Sequence, residues 1–289
     1  MLGAITGDTI GSSYEFSNTK DYNFELFRHD SNYTDDTIMT MAVAKWLVDD
    51  HEHSLQGLED KMVYYGQKCT CPMGGYGHLF YIWLYYPDRL GKYDSENGDI
   101  SYHSATGRHP YGSWGNGSAM RTSACGWFFD TLEETERVAG LSAMITHNHP
   151  EGIKGAQATA AAIWMARNRK SKSEIKDYIS KKYGYDLNRT YEYLNRTYDW
   201  ASSCQETVPE AIIAFLESSD FEDAIRKAVS MGGDSDTLAC NTGGIAEAFY
   251  GGVPKEISSK VLEKLPIAFL RILDLVGERT PYGKLYSSK

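Results

Sequence analysis

The chain of 289 residues lacks the features that mark several common protein classes. No stretch approaches the roughly 18 to 20 uninterrupted apolar residues of a membrane-spanning helix, so no membrane span is expected. Basic residues are outnumbered: 29 Lys and Arg against 39 Asp and Glu leave a formal net charge of −10. That balance argues against a general nucleic-acid binder, although one local anion pocket still fits it. The five cysteines, Cys69, Cys71, Cys125, Cys204 and Cys240, are odd in number and follow neither a disulfide framework nor a zinc spacing. The opening MLGAITGDTIGS has no basic n-region and too short an apolar run for a signal peptide. A reduced, cytoplasmic protein is expected, in which the sequons at Asn188 and Asn195 carry no glycan. Also missing are a convincing alternating strand and an Asn-Gly hairpin between apolar runs.

Helical periodicity is abundant. Phe221, Ala224, Ile225, Ala228 and Val229 follow the i, i+3, i+4, i+7, i+8 pattern of one helix face, with Ser219 and Glu222 spaced as a capping box. Met39, Val43, Trp46 and Leu47 repeat the spacing after Thr34, and Val138, Leu141, Met144 and Ile145 do so before His147. The small-residue run from Gly155 to Ala166 predicts a closely packed central helix. Pro209, Pro254 and Pro266 are expected where helices begin or break. The 42% of hydrophobic residues is enough for a real core. No Pro/Ser-rich linker divides the chain, so residues 1–289 are read as one all-α domain. Residues 91–117, rich in Gly, Tyr, Ser and His, read as a long loop of functional type. LNRTYEY followed at once by LNRTYDW, Leu187 to Trp200, is too short to make a repeat protein and is assigned no function.

Two acidic clusters lie 200 residues apart, each opening a predicted helix: Thr34-Asp35-Asp36-Thr37 and Gly232-Gly233-Asp234-Ser235-Asp236-Thr237. Either alone is explained by capping and by the helix dipole, which favours carboxylates in the first turn. Together they offer four Asp carboxylates and two Thr hydroxyls, the hard oxygen donors that Mg²⁺, Mn²⁺ or Ca²⁺ selects. If both helix starts met, four negative charges would repel unless cations balanced them, and two divalent ions would do so. Gly3, Gly7 and Gly11 recur every four residues, which on a helix lets a neighbour approach closely, and Glu15 follows at the end of that segment. Gly115-Asn116-Gly117-Ser118-Ala119-Met120-Arg121 is a Gly-rich turn feeding a helix, a ready anion site that is neither a Walker A nor a Rossmann motif. Thr146-His147-Asn148-His149-Pro150 places two imidazoles at a helix end.

Taken in order, GAITGDTIGSSYEF, YTDDT, GYGHLFYIWL, PYGSWGNGSAMR, THNHPEGIKGAQA and MGGDSDTLACNTGGIAEAFYG resemble the ADP-ribosylglycohydrolase family over roughly residues 1 to 252. Ala124 stands where many relatives carry Pro, and the Asn188 to Trp200 segment matches no family motif. The resemblance implies a compact all-α fold with a central cleft holding two Mg²⁺, with Mn²⁺ as a possible substitute. It implies Thr34, Asp35, Asp36, Asp234, Asp236 and Thr237 as ligands and Glu15, Asp35 and Asp36 as catalytic residues, Glu15 being the mobile acid near the scissile bond. Gly115, Asn116, Gly117, Ser118 and Met120 would hold the diphosphate and distal ribose, with His147 along the ADP-ribose. Asp8 is implied as structural, and Tyr102, Tyr111 or Trp114 as an adenine platform.

The implied substrate is an ADP-ribosylated protein or a small ADP-ribosyl compound. Arginine-linked ADP-ribose is preferred over serine-linked, polymeric or metabolite forms. Non-catalytic relatives lose the acidic ligands, and every such position is filled here.

Overall fold

The computed structural model describes residues 1–69, 72–73, 75–90, 92–93, 100–101 and 107–285. Its helices are α1 (Leu2–Gly11), α2 (Asp35–Asp49), α3 (Leu55–Lys68), α4 (His78–Tyr85), α5 (Gly117–Met120), α6 (Cys125–Phe128), α7 (Leu132–Met144) and α8 (Pro150–Arg167). They continue as α9 (Lys172–Tyr183), α10 (Tyr191–Thr197), α11 (Cys204–Leu216), α12 (Phe221–Ser230), α13 (Ser235–Tyr250), α14 (Lys255–Leu262) and α15 (Ile267–Arg279). Among the described residues the only sheet is a two-residue antiparallel pairing of β1 (Lys92–Tyr93) with β2 (Ile100–Ser101). The fold is all-α, as the periodicity predicts. No helix among the described residues is long and apolar enough to cross a membrane.

Helix α13 is the hub. Every residue from Ser235 to Ala248 is buried, and α1, α8, α11 and α12 all pack against it. Helix α1 is also buried along its whole length. A helix covered on all sides needs neighbours that come close, and here glycine makes room. A methyl group at Gly3 would overlap the carbonyl of Gly243, one at Gly7 the carbonyl of Ala239, and one at Gly11 the backbone of Asp236. The four-residue glycine stripe is therefore the contact line between α1 and α13. It brings the end of α1, where Glu15 follows, to the start of α13, where Asp234 and Asp236 lie. The small-residue helix α8 packs between α7, α13, α11 and α5, in keeping with its composition.

Two local expectations shift. Helix α12 is capped by Asp220, whose carboxylate accepts from the Asp223 N–H at 2.9 Å, and not by Ser219. Ser219 instead donates its N–H to the Asp223 carboxylate at 2.7 Å. Aspartate is as good a cap as serine, so the cap slides one residue forward. Pro209 lies inside α11 and does not open it. The helix has already started at Cys204, whose N–H is held by the Trp114 carbonyl at 2.9 Å.

Replacing Gly7 by Ala should cost about 3 kcal/mol or more, because the added methyl meets backbone that cannot rotate away. Gly75→Ala, with no atom within 4 Å of the added group, should stay within about 0.5 kcal/mol of the parent. Urea unfolding of the two variants reads the contrast, and equal stabilities would contradict the close-approach account.

Candidate active site

Asp8 organises the floor of the site. Its Oδ2 accepts from the N–H groups of Thr34 (3.0 Å) and Thr37 (3.1 Å) and from the Thr37 hydroxyl, while Oδ1 accepts from Thr34 Oγ1 at 2.7 Å. One carboxylate on α1 thus caps the first turn of α2, and its bonds all run to protein. This saturation suits the structural part the resemblance gives Asp8. Thr34 is the N-cap of α2, and its Oγ1 accepts from the Asp36 N–H at 3.3 Å. The Thr34 hydroxyl gives its single proton to Asp8, so its 3.4 Å contact with Asp236 Oδ2 brings two oxygens together with no proton of its own between them.

The second helix start is shaped by consecutive residues in the left-handed region, Gly232 at φ 76° and Gly233 at φ 71°, a conformation that side chains with Cβ resist. That turn presents Asp234 as the N-cap of α13. Asp234 Oδ2 accepts from Asn116 Nδ2 at 2.7 Å, which also donates to Thr207 Oγ1 at 3.1 Å. Asp236 Oδ1 accepts from the Thr237 N–H, and Thr237 Oγ1 donates to Asp36 Oδ1 at 3.3 Å. The two acidic clusters, 200 residues apart in the chain, therefore share one cleft.

Glu15, Asp234 and Asp236 each place a carboxylate oxygen so that all three lie within 4.8 Å of one another. Two oxygens here, Glu15 Oε2 and Asp36 Oδ2, are buried with no partner among the described residues. Buried carboxylates so close resist ionisation. The Glu15 carboxyl is pushed up to about 8 by burial and then by the charges of Asp234 and Asp35. Asp35 is pushed up to about 7 by burial, then by Asp8 and Asp234. Asp36 and Asp236 are raised well above the ordinary range, burial again being the main cause. An all-oxygen donor set with orphaned oxygens and mutual repulsion fits a hard divalent cation.

The cleft has a volume of about 470 Å³. Glu15, Asp35, Asp36, Asp234, Asp236 and Thr237 line one end, and Gly115, Asn116, Gly117, Met120 and His147 line another part of its wall. Ser118 is turned inward: its hydroxyl donates to the Gly152 carbonyl at 2.7 Å. Helix α5 is a single turn of four residues, too short to aim a helix dipole at a ligand. The Gly115 and Asn116 N–H groups are already bonded, to Ser113 Oγ and the Ser202 carbonyl. His149 caps α8, its Nδ1 accepting from the Glu151 N–H. Tyr111 is buried in the cleft wall, whereas Trp114 lies half exposed against His149. Tyr102 falls outside the described residues.

Several residues that matter here escaped sequence reasoning. Asn18 uses both ends of its amide: Oδ1 accepts from the Gly233 N–H (2.7 Å), and Nδ2 donates to the carbonyls of Gly233, Glu15 and Tyr14. Lys20 Nζ donates to the carbonyls of Tyr198 and Met231. Phe16 and Trp200 stack at the cleft with ring centroids 5.9 Å apart, Phe16 strongly exposed and Trp200 half exposed. Trp200 ends the seven-residue near-duplication. The one available signal was proximity of Phe16 and Asn18 to Glu15.

A family model described as ADP-ribosylglycohydrolase matches residues 1–282. The ADP-ribosylhydrolase ARH3 of Homo sapiens is 25% identical over 316 residues, covering 87% of this chain and 84% of that protein. The protein of the same name from Xenopus tropicalis is 24% identical over 314 residues, covering 87% and 86%. A solved chain described as "ADP-ribosylglycohydrolase-related protein complex" superposes with a TM-score of 0.62 at 21% identity, over 99% of this chain and 96% of that one, which shows a shared fold. The family match, running over nearly the whole chain and all six motifs, makes this protein a member of the ADP-ribosylglycohydrolase family.

Proposed function

We propose that residues 1–289 form one catalytic domain that hydrolyses the glycosidic bond between ADP-ribose and a protein side chain, arginine being the preferred linkage, in a reduced cytoplasmic setting. The observation that carries this reading is the paired acidic clusters in one cleft, with the orphaned oxygens of Glu15 and Asp36. Thr34, Asp35, Asp36, Asp234, Asp236 and Thr237 would hold two Mg²⁺ or Mn²⁺ ions. Such ions, when bound, supply Lewis acidity and neutralise the cluster.

The chain's own groups do the rest. Cleavage at the distal ribose gathers positive charge at the anomeric carbon, and the carboxylates of Asp35, Asp36, Asp234 and Asp236 offset it. Glu15 holds or accepts a proton at Oε2 and orients the attacking water. Water adds to the anomeric carbon, the carbon–nitrogen bond breaks, and the guanidine leaves with a proton. His147 and the 115–120 turn hold the ADP-ribose. The stacked Phe16 and Trp200 rings, beside a cleft of carboxylates, suit a planar cation, and this supports arginine over serine.

Free ADP-ribose should be released from arginine-ADP-ribosylated protein with Mg²⁺ and not with EDTA, and Asp36→Ala should lower kcat by about 100-fold or more. Release in EDTA at the full rate would overturn the metal reading. Trp200→Ala should reduce kcat/KM for the arginine-linked substrate about threefold, the scale of one exposed cation–π contact. A wild-type preference for serine-linked substrate would overturn the linkage.

Stability should also titrate. A carboxyl raised in the folded state favours folding at low pH, and that contribution is lost as pH rises through the folded value. With Glu15 near 8 and Asp35 near 7, the EDTA-treated protein should melt at progressively lower temperature between about pH 5 and pH 8.5. Saturating Mg²⁺ should flatten the decline. A melting temperature that rises across this window without metal would contradict the repulsion on which the metal reading rests.

A further inference from the structure

The turn that reads as an anion cradle has already committed its first donors, since the N–H groups of Gly115 and Asn116 are bonded within the protein. An oxyanion arriving there needs a donor from elsewhere. The side chain against the turn is His147: a methyl built on Gly117 would stand 3.3 Å from its Nε2, and one on Gly115 3.6 Å. Behind the ring, Thr146 Oγ1 lies 2.7 Å from His147 Nδ1. Behind Thr146 lies Arg121, with Nη2 2.9 Å from that hydroxyl and 2.6 Å from the Ser142 carbonyl.

Proton counting fixes the direction of this chain. A guanidinium only donates, so Thr146 Oγ1 accepts from Arg121. Among the described residues the hydrogen bonds of Thr146 Oγ1 run to Arg121 and to His147, so the acceptor within reach of its own proton is His147 Nδ1. The one proton of Thr146 is then left for His147 Nδ1. With Nδ1 accepting, the ring's own proton sits on Nε2, the nitrogen that faces the turn. Arg121 is 1% exposed, forms part of the cleft wall and makes no ion pair with a carboxylate among the described residues. Its charge adds to burial in keeping the His147 ring neutral, while the guanidinium itself, lowered to about 10 by burial, stays charged at neutral pH.

We infer that Arg121 and Thr146 are positioning residues that lock His147 in its Nε2–H tautomer. A neutral imidazole then donates one hydrogen bond to a phosphate oxygen of the ligand, and the buried guanidinium behind it supplies the countercharge. The inference rests on reading the cleft as an ADP-ribose site. The division of labour is physical: a neutral ring gives direction without needing a proton from solvent, and the cation gives long-range attraction that water cannot screen.

The test begins without ligand. Long-range ¹⁵N–¹H spectra of the wild-type protein, with His147→Gln to assign the signal, should show His147 with an unprotonated Nδ1 and a protonated Nε2, unchanged from about pH 6 to pH 8. An Nδ1–H tautomer, or an interconverting pair, overturns the lock. Thr146→Val should lose the fixed tautomer and raise KM for an ADP-ribosylated substrate about tenfold or more, the scale of one hydrogen bond to a charged group, with kcat changed less than about twofold. Thr146→Ser, which keeps the hydroxyl, should restore both readings. A kcat loss at unchanged KM, or no rescue by serine, overturns the positioning role. Should the cleft bind no ADP-ribose in the wild type, the ring spectrum still decides the tautomer, so the two failures are told apart.

Discussion

The site depends on a backbone-to-backbone contact between two helices. Gly3, Gly7 and Gly11 let α1 lie directly on α13, and no side chain could be placed between them without moving one of the acidic groups. From that contact follows the position of Asp8, which ties α1 to α2 through four hydrogen bonds. From it follows too the approach of Glu15 to Asp234 and Asp236. The carboxylates converge because three helices are pinned at their ends, in spite of the charges they carry.

That convergence is unfavourable in the bare protein. Burial raises the proton affinity of Asp8, Glu15, Asp35, Asp36 and Asp236, and for the last four the neighbouring carboxylates raise it further. The fold therefore holds a strained electrostatic arrangement in a rigid frame, a condition common where groups are arranged for function and not for stability. Hydrogen bonds from Asn116, Thr34 and Thr237 ease part of the repulsion, and the remaining oxygens face the cleft unpaired.

Much of this was legible in the sequence. The two acidic clusters, the glycine spacing and the helix periodicities are local signals, and the resemblance to a family joined the first two in space. What could not be read was the second layer. Asn18 and Lys20 act on carbonyls and on a backbone N–H of segments about 200 residues away, and no spacing rule links a single Asn to a distant turn. The cap of α12 slid by one residue because Ser219 and Asp220 are both competent caps. Ser118 looked like part of the anion turn, yet its hydroxyl found a nearer carbonyl inside. Proximity in the chain says which residues share a turn, not which way each side chain faces.

The near-duplicated segment shows how unequal two similar stretches can become. In the first copy Arg189 pairs with Glu210 and Tyr191 reaches Ser230, both away from the cleft. In the second, Asn195 donates to the Ser230 carbonyl, the ring of Tyr198 sits under Gly233, and Trp200 enters the cleft wall. The turn that presents Asp234 is thus buttressed by residues belonging to none of the six motifs. Under the proposed function, a change in this buttress would alter the cleft wall at Trp200 with no change to any acidic residue.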